Sequence, residues 1–162
     1  MPIVSLEYQF RQPFHVPAKD AFRWCTDFGS WDGKLFPNRT RRSVRWLNDG
    51  ALVMTDTTYP GGRRRVIRRL VRINRPEMAW TNTHLDGPFR HSQYWYRVVA
   101  DGPRRSHLEF TGLRLTKVAR RLSPSAIAKL AEAERLGDST DWRTHLAPAL
   151  ERELAQGGGR RR

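Results

Sequence analysis

The chain has 162 residues, 30 of them Lys or Arg against 16 Asp or Glu, a formal charge of +14, with six Trp, seven Phe and four Tyr. This length suits one domain, and the aromatic content exceeds what a disordered chain carries, so a real core is expected. No apolar run approaches the ~20 residues of a membrane span, the single cysteine, Cys25, excludes an internal disulfide or a thiolate zinc site, and the opening MPIVSLEYQF lacks the features of a signal peptide, so the expected location is cytoplasmic.

Val4, Leu6, Tyr8 and Phe10 alternate with Ile3, Ser5, Glu7 and Gln9, the period of a half-buried strand. Pro17 then suits the first position of a helix, and Ala21, Trp24, Cys25 and Phe28 fall at helical spacing up to Gly29. Residues 33 to 38 read as a loop or a second short helix. A meander follows, its turns marked by Asn48-Asp49-Gly50, Pro60-Gly61-Gly62, Pro76, Asp86-Gly87-Pro88 and Asp101-Gly102-Pro103. These five turns separate six strands, placed at Arg41 to Leu47, Ala51 to Tyr59, Arg65 to Ile73, Met78 to Leu85, Phe89 to Ala100 and Ser106 to Thr116. Ser123 and Pro124 form an N-cap and first-turn pair for a helix up to Gly137. A second helix starts at Asp138-Ser139-Thr140 and runs to Gln156, with Trp142, Leu146, Ala149, Leu150 and Leu154 on one face and a kink or restart at Pro148. Residues 1 to 156 read as one ligand-binding domain, and 157 to 162, GGGRRR, as a disordered basic tail.

Only Lys19, Lys34, Lys117 and Lys129 are lysines, leaving 26 arginines, and between Arg39 and Arg75 eleven arginines meet only Asp49 and Asp56, a local charge of +9. That stretch is either a phosphate-facing patch for nucleic acid, an acidic membrane or an acidic protein, or a solvated outer sheet face.

The segment Val16-Pro17-Ala18-Lys19-Asp20-Ala21-Phe22, followed by Asp27-Phe28 and Trp31, is similar to the opening pattern of the START-related SRPBCC superfamily of polyketide cyclases, dehydrases and lipid-transport proteins. Asp141-Trp142 with Leu146 and Leu150 also resembles the closing helix of some members, and the order of elements from Ile3 to about Gln156 fits. An additional helix, Arg120 to Ser139, departs from the pattern. The resemblance implies an α+β helix-grip fold, a seven-stranded curved antiparallel sheet wrapped around a C-terminal helix, with a cavity for a lipid, sterol, polyketide, quinone or similar apolar molecule. A concave sheet crossed by one helix leaves such a cavity on physical grounds as well.

Candidate chemistry centres on Arg69. Ile67, Val71 and Ile73 alternate with Arg68 and Arg72, so Arg69 falls on the face to be buried and either pairs with a ligand carboxylate or enolate, forms an internal salt bridge to Asp56, or snorkels out. His84 and His91 flank the Asp86-Gly87-Pro88 turn, and only a four-residue loop would put both on one face. Tyr94 and Tyr96 share one face and Trp95 the other. The expected cavity residues are Arg69, Val71, His84, Tyr94, Tyr96, Phe110 and Trp142, with no metal and no cofactor. Cys25 reads as core, and no nucleophile or phosphate-loop motif is present. The leading expectation is a binder of a hydrophobic or amphipathic small molecule, for transport, sequestration or cyclase-type assistance by positioning. The alternative is a nucleic-acid or ribosome-associated protein, suggested by Arg63, Arg64, Arg65, Arg68, Arg72 and the tail Arg160 to Arg162. Exposed aromatics on the face of the arginines would favour it.

Overall fold

The computed structural model describes residues 1–29, 35 and 40–157. The expected element at 33 to 38, apart from Leu35, and the tail beyond Gly157 lie outside the described residues. Seven strands form one antiparallel sheet: β1 (Ile3–Phe14), β2 (Arg41–Asn48), β3 (Ala51–Thr58), β4 (Arg65–Asn74), β5 (Ala79–His84), β6 (Gln93–Gly102) and β7 (Arg105–Lys117). Their spatial order is β1-β7-β6-β5-β4-β3-β2, so the meander is closed onto β1 at one edge. Pro13 is tolerated within β1 because that strand is an edge, paired among the described residues with β7 alone.

Helix α1 (Ala18–Thr26) starts one residue later than the sequence suggests: Pro17 is its extended N-cap, and the Pro17 carbonyl accepts from the Ala21 N–H at 3.0 Å. At the other end the expected pair of helices is one long rod. Helix α2 (Pro124–Asp141) is capped by Ser123, whose Oγ accepts from the Ala126 N–H, and it runs through Gly137 without a break. A π-turn (Trp142–Leu146) joins it to α3 (Ala147–Ala155). Pro148 has no N–H for the carbonyl four residues back, and the wider turn immediately before it absorbs that loss without ending the helix.

A second difference concerns β6. It begins at Gln93 rather than Phe89, because residues 86–91 fold into a longer turn in which His91 takes a φ of 71°. The alternation on β6 is otherwise as expected: Tyr94 and Val98 are buried, and Trp95 and Arg97 face outward.

Two apolar clusters occupy the inner face. The larger joins Ala21 and Trp24 of α1 and Ala147 and Leu150 of α3 to Leu52, Val71 and Leu108 of the sheet, and the smaller is Tyr8, Tyr94 and Phe110. Gly112 separates Tyr8 from Tyr94 in register across three strands. A Cβ there would lie 2.7 Å from the Tyr8 ring, so only glycine lets that ring cross β7. No helix among the described residues is long and apolar enough to cross a membrane.

Candidate functional site

Between the sheet and the long helix lies a cavity of about 290 Å³. Trp24, Cys25 and Phe28 of α1 line one side, Trp80, Asn82 and His84 of β5 the floor, and Asp138, Asp141, Trp142 and Leu146 the helical wall. Six of the seven residues expected from the sequence are brought together here: Arg69, His84, Tyr94, Tyr96, Phe110 and Trp142. Val71 sits instead in the core, fully buried and in register with Leu52. His84 and His91 do not form a joint site, since His84 is buried against the cavity and His91 is exposed in the turn. Among the described residues no three His, Cys, Asp or Glu side chains cluster as a metal would require.

At the sheet end a buried carboxylate is shared by two guanidinium groups. Arg42 donates through Nε and Nη2 to the two oxygens of Asp56 at 2.7 and 2.8 Å, and Arg69 donates through Nη1 to Asp56 Oδ2 at 2.6 Å. Burial opposes the charge on Asp56, but the bonds and fields of Arg42 and Arg69 outweigh it and hold the carboxyl below its ordinary range. Arg69 also donates through Nε to His84 Nε2 at 3.1 Å, so the imidazole proton belongs on Nδ1, a buried atom with no hydrogen-bond partner among the described residues. Burial first, then the charges of Arg69 and Arg114, push His84 down to about 3, so it is neutral at pH 7. Arg69 thus has Asp56 as its internal partner, and its side chain, which lines the cavity, is 19% exposed.

The helix end holds a second network. Tyr8 donates to Asp138 Oδ2 at 2.6 Å, while Arg114 donates to Glu134 and, through Nε, to the Tyr94 hydroxyl at 3.1 Å. The guanidinium of Arg114 also lies 4.6 Å over the Phe89 ring. Burial raises the hydroxyls of Tyr8, Tyr94 and Tyr96, which therefore remain protonated donors. It also raises Asp138, against the pull of Tyr8 and Arg114. Trp80 and Tyr96 stack in parallel at 4.8 Å and form the flat aromatic part of the floor.

Arg42, Asn82, Arg114 and Asp138 were not among the residues expected from the sequence. Arg114 was within reach of the same period-two argument that found Arg69, since it follows Leu108, Phe110 and Gly112 on the inner face of β7. Arg42 sits in a stretch so rich in arginine that its inward alternation with Val44 was masked. Asp138 depends on the long helix being continuous, which Gly137 argued against.

No family model matches the chain, and no curated protein does. Solved structures do. The Zhui aromatase/cyclase from Streptomyces sp. R1128 superposes with a TM-score of 0.76 at 16% identity, over 96% of this chain and 99% of that one. Norcoclaurine synthase from Thalictrum flavum, in complex with dopamine and hydroxybenzaldehyde, gives 0.67 at 13% identity, over 98% and 91%. A START superfamily protein from Mycobacterium smegmatis gives 0.65 at 16% identity, over 94% and 99%. With the strand order and the long closing helix, these superpositions assign the chain a START-like helix-grip fold.

Proposed function

We propose that the cavity binds one small, largely apolar molecule carrying an oxygen-bearing end, for transport, sequestration or cyclase-type assistance. The observation that carries this reading is a partly open cavity of about 290 Å³ lined by eight Trp, Tyr and Phe side chains, with the partly exposed Arg69 at its sheet end. The likeness to an aromatase/cyclase and to a synthase holding dopamine and hydroxybenzaldehyde supports a ligand with an aromatic or ring-forming skeleton.

Should turnover occur, the residues suit catalysis by orientation and desolvation. Arg69 would hydrogen-bond an oxygen on which negative charge develops, and the Trp80 and Tyr96 pair would hold a planar skeleton against the floor. Tyr94, kept protonated, could donate a hydrogen bond. His84 is neutral and so orients Arg69 rather than delivering a proton as an imidazolium.

Native mass spectrometry of the chain purified without denaturant tests the reading. A stoichiometric adduct of a few hundred daltons that leaves on activation is the expected result. An adduct-free protein that also fails to retain an apolar dye counts against it.

A second reading, a nucleic-acid-binding outer face, has one observation in its favour. Trp95 is 38% exposed and lies in one cross-strand row with Thr81 and Arg72.

A further inference from the structure

The turn between β3 and β4 has an apolar tip with a run of cations directly behind it. Tyr59-Pro60-Gly61-Gly62 carries no polar side-chain group except the Tyr59 hydroxyl, and Arg63, Arg64 and Arg65 follow at once. The tip folds on itself: the Gly62 N–H donates to the Tyr59 carbonyl at 3.2 Å and the Arg63 N–H to the Pro60 carbonyl at 3.1 Å. Gly61 and Gly62 take positive φ, 56° and 77°, and a Cβ on either would meet nothing within 4 Å, so the tip stands clear of the other described residues. Tyr59 itself is 48% exposed.

The turn between β5 and β6 lies beside this one. Its Leu85 N–H donates to the Arg68 carbonyl at 2.9 Å, and a Cβ on Gly87 would lie 3.7 Å from Ile67 Cγ1. Both contacts are to the opening residues of β4, the strand that the first turn feeds. The second turn adds another apolar side chain, Leu85, 37% exposed, and a fourth cation, Arg90. Asp86 is the one carboxylate in either turn, and Arg68 takes both of its oxygens, through the backbone N–H at 2.8 Å and Nε at 2.6 Å. Arg63, Arg64, Arg65 and Arg90 are exposed, and none has an ion-pair partner among the described residues.

Cations behind a protruding apolar tip match the layers of a membrane surface, phosphates outside and acyl chains within. Two amide donors of the tip are already bonded inside the turn, which lowers the cost of leaving water. Nucleic acid fits the same charge less well, because Leu85 and the two glycines give bases no ring to stack on. We propose that this end of the sheet docks on an anionic membrane, with Tyr59 and Leu85 in the headgroup layer and the four arginines on lipid phosphates. Phe89, in the second turn, lines the cavity, so a docked chain holds that wall toward the bilayer. The docking does not require an occupied cavity and stands apart from the ligand-binding reading.

Co-sedimentation at physiological salt, with vesicles of phosphatidylcholine alone or of equal parts phosphatidylcholine and phosphatidylglycerol, tests the proposal. The wild-type chain should bind the mixed vesicles more tightly by about a hundredfold. The triple variant Arg63→Ser, Arg64→Ser, Arg65→Ser should lose most of that preference. A triple variant with the same loss of charge elsewhere, Arg72→Ser, Arg104→Ser, Arg105→Ser, should keep it within about threefold. Tyr59→Ser with Leu85→Ser should weaken binding by about tenfold at unchanged charge. All these side chains are exposed, so circular dichroism should show the wild-type fold in every variant. Equal binding of the wild type to both kinds of vesicle overturns the inference. So does an equal loss in the two triple variants, which would mean attraction to the overall charge, or unchanged binding when Tyr59 and Leu85 are replaced. Labelled single-stranded RNA that binds more tightly than the mixed vesicles, and is lost in the Arg63 to Arg65 variant, overturns it in favour of nucleic acid. Each of these failures leaves the ligand-binding reading standing.

Discussion

Replacing Asp56 by Asn isolates the energy of the shared carboxylate. The substitution preserves shape but removes the only negative charge bonded to both Arg42 and Arg69 among the interactions described above. Three charge-assisted bonds, each worth about 1.5–3 kcal/mol, set an upper limit of about 4.5–9 kcal/mol. The amide oxygen still accepts and the guanidinium groups can shift toward water, so the net loss is expected to be about 3–5 kcal/mol, the cost of breaking a buried ion pair from one side. Against a total stability of about 5–15 kcal/mol this is large. Arg42→Met, which leaves Asp56 still bonded to Arg69, should cost less than Asp56→Asn. Urea unfolding monitored by circular dichroism at pH 7 gives both values. The pH dependence supplies an independent sign. The carboxyl of Asp56 is depressed in the folded chain, so its contribution is complete above the unfolded value of about 3.9 and disappears as pH falls through the folded value. The gap between wild type and Asp56→Asn should therefore be full at pH 7 and close at strongly acid pH. His84 weakens both proteins as pH drops from 6.5 toward about 3, because the unfolded chain then binds a proton that the folded chain refuses. A loss under 1 kcal/mol for Asp56→Asn at pH 7, or a gap that widens on acidification, would refute the electrostatic reasoning.

Gly112→Ala should destabilise by about 1–3 kcal/mol through overpacking against the Tyr8 and Phe110 rings, with the midpoint of urea unfolding as the readout, and a neutral effect would show that those rings are free to move. Carbon-13 or nitrogen-15 NMR of the imidazole resonances should show no titration of His84 between pH 5 and 8, and an inflection in that window would contradict its burial beside Arg69. Binding of labelled RNA and DNA should be weak, without sequence preference, and largely lost at physiological salt, since each phosphate contact on duplex DNA contributes about −0.9 to the slope of log K against log salt. Submicromolar binding that survives physiological salt and vanishes when Arg63, Arg64, Arg65, Arg68 and Arg72 are changed to Ser would favour the nucleic-acid reading.

The legibility of this fold in its sequence was uneven for physical reasons. Strand alternation with turn residues at Asn48-Asp49-Gly50 and Asp101-Gly102-Pro103 reports local geometry, and there the strands fall within a residue or two of expectation. Period two also placed Arg69 on the inner face, because on a half-buried strand a single side chain's direction follows from its neighbours. The misses lie where tertiary packing overrides local preference. Gly137 and Pro148 are helix breakers by intrinsic propensity, yet the long helix spans both, since the sheet it covers supplies the missing stabilisation and a π-turn accommodates the proline. Which inner-face arginines are bonded to which acids depends on strand register and helix placement together. The pairings of Arg42 with Asp56 and of Arg114 with Glu134 therefore emerged only when β2, β3, β7 and α2 had been brought into contact.

The central claim is that an apolar molecule occupies the space between the sheet and the long helix, and three tryptophans around that space, Trp24, Trp80 and Trp142, report on it directly. Energy transfer from tryptophan to N-phenyl-1-naphthylamine should saturate at one dye per chain. It should be abolished in Met54→Trp and Leu146→Trp, which place bulk in the cavity wall, while far-ultraviolet circular dichroism stays that of the wild type. Transfer that never saturates, or that persists unchanged in both folded cavity-filling variants, would place the dye elsewhere and contradict the account.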